Sequence, residues 1–196
     1  MSGRLGAALL ALAVLSAPAW AAPPLVAKGD ATPLVAWGVF CKQHPQECAV
    51  DVTEPEAVAA TPDLIELVDA VNRYVNREIE PRTDQDHWGV IDRWNLPVDG
   101  IGDCEDFQLL KRKLLVEAGV PRRALRVTVV INEMGEGHAV LTVRTDGDDL
   151  ILDNRTSRIL RWDETGYAFI KRESSTRVGW EFLEPVPSVA VVAAAP

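Results

Sequence analysis

The sequence predicts an α+β fold in which helices come first and an antiparallel sheet follows. Two amphipathic helical patterns lie in the first part of the chain, and a series of short β-branched patterns fills the second part. An Asp-Gly pair between two of these strands indicates a hairpin turn. Runs of helices followed by runs of strands are typical of α+β domains. The length of 196 residues suits one compact domain after a short leader is removed.

The chain begins with the pattern of a secretory signal peptide. Arg4 precedes an apolar run from Leu5 to Val14, and small residues just beyond it offer a cleavage site after Ala21. An uncleaved anchor is the alternative, but this run is shorter than the ~20 residues of a membrane span, and no later run is long enough. We therefore expect residues 1–21 to be removed on export.

Helices are predicted at three places. A short helix runs from Pro33 to about Cys41. A longer one, residues 61–79, has Thr as its N-cap and Pro at its first position, and Pro81 ends it. After a polar loop over residues 80–100, a third helix is expected at about residues 104–118. Asp103 is its predicted N-cap, and Gly119 ends it.

The remainder of the domain is predicted to be β-strands. Short β-branched or alternating runs follow one another with turns between them. The predicted strands are 125–131, 138–144, 149–153, 158–161, 168–172 and 178–183. We expect one domain over residues 22–183 and a flexible Pro/Val/Ala tail at 184–196.

Charge and cysteine content narrow the class of function. The net charge of −9 at pH 7 argues against nucleic-acid binding, because neutralising phosphates needs Lys and Arg. This charge is compatible with divalent cations or basic partner surfaces.

Export favours a local disulfide between Cys41 and Cys48. Cys104 is then left as an unpaired thiol. A buried thiol serving only as a small hydrophobe is the alternative, but acidic neighbours make an apolar pocket a poor fit.

A His and an Asp are predicted to meet on the central hairpin. With Asp146 and Gly147 in the turn, the register places Asp153 opposite Val140. His138 is two residues from Val140 and therefore lies on the same face, at a diagonal distance that an imidazole and a carboxylate can span. A surface His beside a surface Asp is the simpler alternative. Together with Cys104, however, the pair forms the chemical set of thiol-based acyl transfer.

The surroundings of Cys104 act on its thiol in opposite directions. A thiol in the first turn of a helix feels the positive end of the helix dipole, which lowers its pKa. Asp103, Glu105 and Asp106 would raise that pKa unless a cation neutralises them. Ca²⁺ prefers such oxygen ligands, so Asp103 and Glu105 are candidate ligands, with Asp106 or Asp99 as additions. Helix caps or solvated surface acids are the alternative reading of these residues.

Beyond these arguments, the chain resembles the bacterial transglutaminase-like cysteine peptidases. The resemblance spans about residues 28–183 and includes the segment with the two neighbouring cysteines. Its motifs are Trp94-Asn95-Leu96-Pro97, Gly102-Asp103-Cys104-Glu105-Asp106-Phe107, Lys111, Leu115, Gly119-Val120-Pro121, Leu125-Arg126, His138-Ala139-Val140-Leu141 and Leu152-Asp153-Asn154. It implies a papain-like or transglutaminase-like fold, in which a nucleophile helix packs on an antiparallel sheet.

The resemblance also implies roles for individual residues. Cys104 would be the nucleophile, His138 the general base and acid, and Asp153 the residue that orients the imidazole, while Asp103 and Glu105 would bind calcium. The best-studied branch of the family comprises periplasmic, calcium-dependent proteases that trim large surface adhesins and control biofilm attachment. Expected partners are therefore a cell-envelope protein substrate, such as an adhesin, and an inner-membrane regulator.

Two departures from that branch weaken the assignment to adhesin processing. The segment between Trp94 and Gly102 is shorter than usual, and paired cysteines are more typical of members without an assigned substrate.

Two alternative functions stay open: a transamidase with the same three residues, and a non-catalytic periplasmic binding module. Trp88 or Trp94 could line the cleft, although packing in the interior is the more frequent role of Trp.

Overall fold

The structure, a computed structural model, describes residues 25–184. The predicted signal peptide and residues 185–196 lie outside the described residues. The helices are α1 (Val35–Gln43), α2 (Pro45–Cys48), α3 (Pro62–Glu78), α4 (Asp84–Trp88) and α5 (Cys104–Glu117). The strands are β1 (Val26–Ala31), β2 (Glu80–Pro81), β3 (Ile101–Gly102), β4 (Leu125–Ile131), β5 (Gly137–Arg144), β6 (Asp149–Leu152), β7 (Leu160–Arg161), β8 (Ala168–Glu173) and β9 (Trp180–Glu184).

Seven strands form one antiparallel sheet in the order β1-β9-β8-β4-β5-β6-β7. The α+β prediction is therefore confirmed. Strand β1 lies in a segment rich in Ala and Pro and was not among the predicted strands. It pairs with β9, from Val26 opposite Glu184 to Ala31 opposite Trp180. Glu184, which the sequence assigned to the tail, is thus the last residue of a strand.

The β5–β6 hairpin has the predicted register. Leu141 lies opposite Leu152 and Arg144 opposite Asp149, so Asp153 follows directly after the paired residues of β6. The hydroxyl oxygen of Thr145 accepts the amides of Gly147 at 3.2 Å and Asp148 at 3.0 Å, which closes the turn. The Asp-Gly pair therefore fixes which residues of the two strands face each other.

The main core lies between one face of the sheet and the helices α1, α3 and α5. Trp180 of β9 is at its centre and makes edge-to-face contacts with Trp37 of α1 and with Trp94. Helix α3 starts as predicted, since the Thr61 hydroxyl accepts the Leu64 amide at 3.2 Å. Helix α5 packs against both α3 and β5, so its first residue is held next to the sheet.

The segment from residue 80 to residue 102 is mostly loop, as expected, but its two ends are paired. Strands β2 and β3 run parallel, and the Arg82 amide donates to the Gly102 carbonyl at 2.9 Å. The short helix α4 follows β2, with the Thr83 hydroxyl accepting the Asp86 amide. This pairing brings the start of α4 next to the start of α5.

A disulfide joins Cys41 and Cys48, the pair that the sequence favoured, and it links α1 to α2. The carbonyl of Glu47 accepts hydrogen bonds from Arg112 of α5 and from Arg122, each at 2.9 Å. The amino-terminal segment is therefore tied to the helix that carries the free thiol. Among residues 25–184, no helix is both long and apolar enough to cross a membrane.

Candidate active site

Cys104 is the first residue of α5 and the free cysteine of the chain. Asp103 occupies the N-cap position, as predicted, but its side chain makes no capping hydrogen bond. One of its oxygens instead accepts the Asp84 amide at 3.3 Å. Gly102 comes immediately before, and a Cβ there would lie 2.7 Å from the Cβ of Asp106. Glycine at this position therefore lets the chain approach the first turn of α5.

His138 and Asp153 form a hydrogen-bonded pair at the adjoining strand ends. The Nε2 atom of His138 lies 2.8 Å from Oδ1 of Asp153, and both side chains are buried. The amide of Arg155 donates to the same carboxylate oxygen at 3.0 Å. Since Nε2 is engaged with Asp153, Nδ1 is the ring nitrogen left to exchange a proton with another group.

Tyr167 completes the set of hydrogen bonds to Asp153. Its hydroxyl donates to Oδ2 at 2.7 Å, and its ring meets the His138 ring edge to face. Burial alone would raise the pKa of Asp153, but the hydrogen bonds from His138, Arg155 and Tyr167, with the charge of His138, lower it below its ordinary value. The carboxylate therefore stays ionised beside the imidazole. Tyr167 was not predicted, because it precedes β8 and nothing near it in the sequence indicates a site.

The thiol-bearing Cys104 and the imidazole-bearing His138 line the same cleft, which has a volume of about 280 Å³. Cys104, Glu105, His138, Ala139 and Trp94 are among its lining residues. The Gln108 side chain, one turn after Cys104, donates to the Ala139 carbonyl at 3.3 Å and holds α5 against β5. Trp94 both lines the cleft and packs in the core, whereas Trp88 stacks on His87 outside it.

The thiol of Cys104 is not activated in this arrangement. Its sulfur lies 3.2 Å from Oε2 of Glu105 and donates to that carboxylate. Burial, followed by the negative charges of Glu105 and Asp103, raises the pKa of Cys104 well above its ordinary value of 9.0. The helix dipole was expected to lower this pKa, but burial and the neighbouring acids together raise it. The acids beside Cys104 therefore oppose formation of the thiolate in the structure, as the sequence indicated.

Three acids lie close enough to share a cation. One carboxylate oxygen from each of Asp84, Asp103 and Glu105 lies within 4.8 Å of the others. Within the described part of the chain, Oδ1 of Asp103 is buried with no hydrogen-bond donor. Burial and the neighbouring carboxylates raise the pKa of Asp103 and, more strongly, of Glu105. Hard oxygen ligands with uncompensated charge fit a calcium ion.

Asp84 was not predicted as a ligand, whereas Asp106 and Asp99 were considered and have other partners. Asp106 accepts the amide of Asn95 at 2.8 Å and its side-chain nitrogen at 3.1 Å. Asp99 pairs with Nε2 of His87 at 3.0 Å. The parallel pairing of β2 with β3 explains why Asp84 lies beside Asp103, because the residues that follow two paired parallel strands lie close together.

Residues 27–185 match the family described as bacterial transglutaminase-like cysteine proteinase (BTLCP). The chain belongs to this family. The resemblance inferred from the sequence motifs is thereby confirmed, and so is the assignment of the chain as a transglutaminase-like cysteine peptidase. None of the curated proteins compared by sequence matches the chain.

Solved structures of Legionella pneumophila LapG are similar to this chain. The calcium-bound form has a TM-score of 0.53 at 30% identity, covering 63% of this chain and 71% of LapG. An EGTA-treated form also has a TM-score of 0.53, at 28% identity, covering 64% and 70%. These matches confirm the predicted transglutaminase-like fold. They also show that a relative of this fold has been solved with calcium bound.

Proposed function

We propose that this protein is an exported, calcium-dependent peptidase that cleaves a cell-envelope protein through Cys104, His138 and Asp153. The observation that carries the proposal is the 2.8 Å pair of His138 and Asp153, with His138 lining the same cleft as Cys104. Thiol peptidases need a nucleophile, a base within reach and a group that orients the base. Cys104 and His138 at one cleft, with Asp153 hydrogen-bonded to His138, fit that requirement in a chain of the BTLCP family.

The residues support a two-step acyl transfer. The Cys104 thiol gives its proton to Nδ1 of His138 and attacks the peptide carbonyl, while Asp153 stabilises the imidazolium through Nε2. A backbone amide at the start of α5, such as that of Cys104 itself, donates to the developing oxyanion. His138 then protonates the leaving amine. Water, deprotonated by the same imidazole, hydrolyses the thioester.

Asp84, Asp103 and Glu105 would hold the calcium ion. When bound there, it supplies positive charge beside the thiol and offsets the carboxylates that raise the thiol pKa. Calcium-bound LapG, which is similar to this chain, supports the choice of metal. The donor set supports it independently, because three oxygen ligands without a soft or nitrogen ligand favour Ca²⁺ over Zn²⁺.

The family also supports a compartment and a class of partner for the enzyme. The amino-terminal pattern supports a periplasmic enzyme, and the resemblance to the adhesin-processing branch supports a large surface adhesin as substrate and an inner-membrane protein as regulator. The disulfide between Cys41 and Cys48 is consistent with an oxidising compartment.

The reaction type can be tested with purified enzyme and cell-envelope proteins in H₂¹⁸O containing calcium and a biotinylated amine. Hydrolysis places one ¹⁸O in each new carboxyl terminus and leaves the amine free. Transamidation instead attaches the amine to the acyl fragment, and this result would refute the peptidase assignment. No product in either form, with normal calcium binding, would favour a non-catalytic binding module.

A further inference from the structure

Large aliphatic side chains are exposed together on the outside of α1 and on the loop after α4. Val35 and Ile91 are 86% and 92% exposed, and Val39 and Val90 are about half exposed. Val35 and Val39 are one helical turn apart and therefore lie on one face of α1. Single exposed aliphatic residues are ordinary, but a large contiguous patch of them is typical of a binding surface.

These four side chains line one groove of about 660 Å³, with Asp92 and Trp94 at one end. Asp92 and Trp94 also line the cleft that contains Cys104 and His138. The groove and the cleft are therefore adjoining parts of one depression. A polypeptide seated over Cys104 can therefore extend into this groove on one side of the bond that reacts.

Both walls of the groove are held in place by contacts with the rest of the fold. The Arg93 amide donates to the Asp84 carboxylate, and the Arg93 guanidinium lies over the Trp88 ring at 4.1 Å from its centroid. On the other wall, Trp37 of α1 donates to the buried Glu173 at 2.8 Å. A wall fixed before binding loses little conformational freedom on binding, so contacts to it contribute more to affinity.

The charges around the groove select against acidic ligands. Asp92 lines both the groove and the cleft, where the two meet. Arg93 lines the groove, but its guanidinium is already stacked on Trp88. An aliphatic or aromatic side chain would displace water from the aliphatic walls, whereas a carboxylate would meet Asp92.

We propose that this groove is a substrate subsite that binds a large apolar side chain of the polypeptide a few residues from the scissile bond. The proposal rests on the peptidase function above and adds a specificity to it. Ile91 and Val39 are its main apolar contacts, one from each wall, and Trp94 forms the end next to the nucleophile.

The proposal can be tested by binding, without catalysis, using Cys104→Ala enzyme in calcium-containing buffer. The probes are fluorescein-labelled octapeptides of Ala, Ser and Asn, each with Leu at a different position, together with the parent peptide that lacks Leu. Fluorescence anisotropy gives each Kd. Burying a Leu side chain predicts about tenfold tighter binding for one Leu position than for the parent. Asp at that position should bind no better than the parent.

Two further variants assign the effect to the groove. Adding Val39→Ser and Ile91→Ser should reduce the Leu preference to less than threefold. Adding Val98→Ser should leave it unchanged, because Val98 is 94% exposed on the same loop but does not line the groove. Circular dichroism confirms that all three proteins are folded. Equal binding of all peptides, or a Leu preference that survives both groove substitutions, would overturn the proposal.

The same peptides separate this proposal from the peptidase function. Enzyme with Cys104 intact should hydrolyse the preferred Leu peptide. Selective binding without hydrolysis would count against the peptidase function and leave the groove as a binding site. Hydrolysis without any Leu preference would support the peptidase function and count against the groove as a subsite.

Discussion

His138 and Asp153 are joined through Nε2 and Oδ1 at 2.8 Å, and Tyr167 donates to the second oxygen of Asp153 at 2.7 Å. The carboxylate is therefore held from both sides. This arrangement fixes the imidazole with Nδ1 free, which is the tautomer and orientation that proton transfer from a thiol requires. The pair owes its position to the hairpin register, because Asp153 directly follows the residues paired with β5.

Replacing Asp153 by Asn should lower kcat by roughly three to four orders of magnitude, because the amide no longer stabilises the imidazolium. Tyr167→Phe keeps the carboxylate and removes one hydrogen bond, so a loss of about tenfold or less is expected. Both are measured as kcat with the same peptide substrate. Asp153→Asn enzyme retaining more than a tenth of wild-type kcat would contradict the assigned role.

This pair could be predicted from sequence, and the reason is local. A two-residue Asp-Gly turn fixes the register of adjacent strands, so residues several positions from the turn can be matched without other information. Tyr167 and Asp84 could not be predicted in this way. Each reaches the site through pairing between distant segments, β8 with β4 and β2 with β3, which no short-range pattern specifies.

Calcium should stabilise the enzyme more at pH 8 than at pH 5.5. Without the ion, the pKa values of Asp103 and Glu105 are raised above their ordinary values of 3.8 and 4.5, mainly by burial. The folded state then binds more protons than the unfolded state, so its stability falls as pH rises above about 4 through the raised pKa values. Calcium replaces those protons. The measurement is the difference in Tm between calcium and EGTA at the two pH values.

Asp84→Asn should reduce this calcium-induced shift in Tm, because it removes the charge of one of the three proposed ligands. Asp86→Asn is the matched control, since Asp86 lies in the same short helix but is exposed. An unchanged shift in the Asp84 variant, or a shift that does not increase with pH in the wild type, would show that the ion binds elsewhere.

Lys111 should destabilise the folded protein at neutral pH. It is fully buried on α5, and burial lowers its pKa from 10.5 to about 7, with Asp153 acting in the opposite direction. Between pH 7 and 10.5 the unfolded state binds more protons, so wild-type stability rises with pH over that window. Lys111→Met should therefore raise the free energy of unfolding by about 5 kcal/mol at pH 6, and by much less at pH 10.

Urea unfolding at a series of pH values measures this effect. Lys113→Met is the control, because Lys113 lies on the same helix, is partly exposed and pairs with Glu117. A Lys111→Met variant with the same pH dependence as the wild type would mean that the amine keeps its ordinary pKa in the folded protein and is solvated there.

Gly102→Ala should destabilise the fold by about 1–3 kcal/mol, because the new methyl group would overlap Asp106 at the start of α5. Asp106 also holds Asn95 beside the cleft, so activity should fall as well. Gly38→Ala is the control, since a Cβ there has no atom within 4 Å and the residue lies inside α1. That change should be neutral or stabilising. Equal effects of the two substitutions in urea unfolding would contradict the steric argument.

The α+β class, the nucleophile helix and the hairpin follow from local patterns that need few long-range contacts. The protonation state of the Cys104 thiol does not follow from local patterns. From the sequence alone, the helix dipole lowers the pKa of Cys104 and the neighbouring acids raise it, and the sequence does not show which effect is larger. The comparison depends on how deeply Cys104, Glu105 and Asp103 are buried, because charges interact more strongly where water is excluded. Burial of this kind results from the whole fold.

The most direct test of the central claim maps new amino termini among cell-envelope proteins after adding purified enzyme. Wild-type enzyme with calcium should produce a small set of new termini in one or a few surface proteins. Cys104→Ala enzyme with calcium, and wild-type enzyme with EGTA, should produce none. The same new termini in the Cys104→Ala reaction, or none in any reaction, would contradict the assignment of Cys104 as the nucleophile of an envelope peptidase.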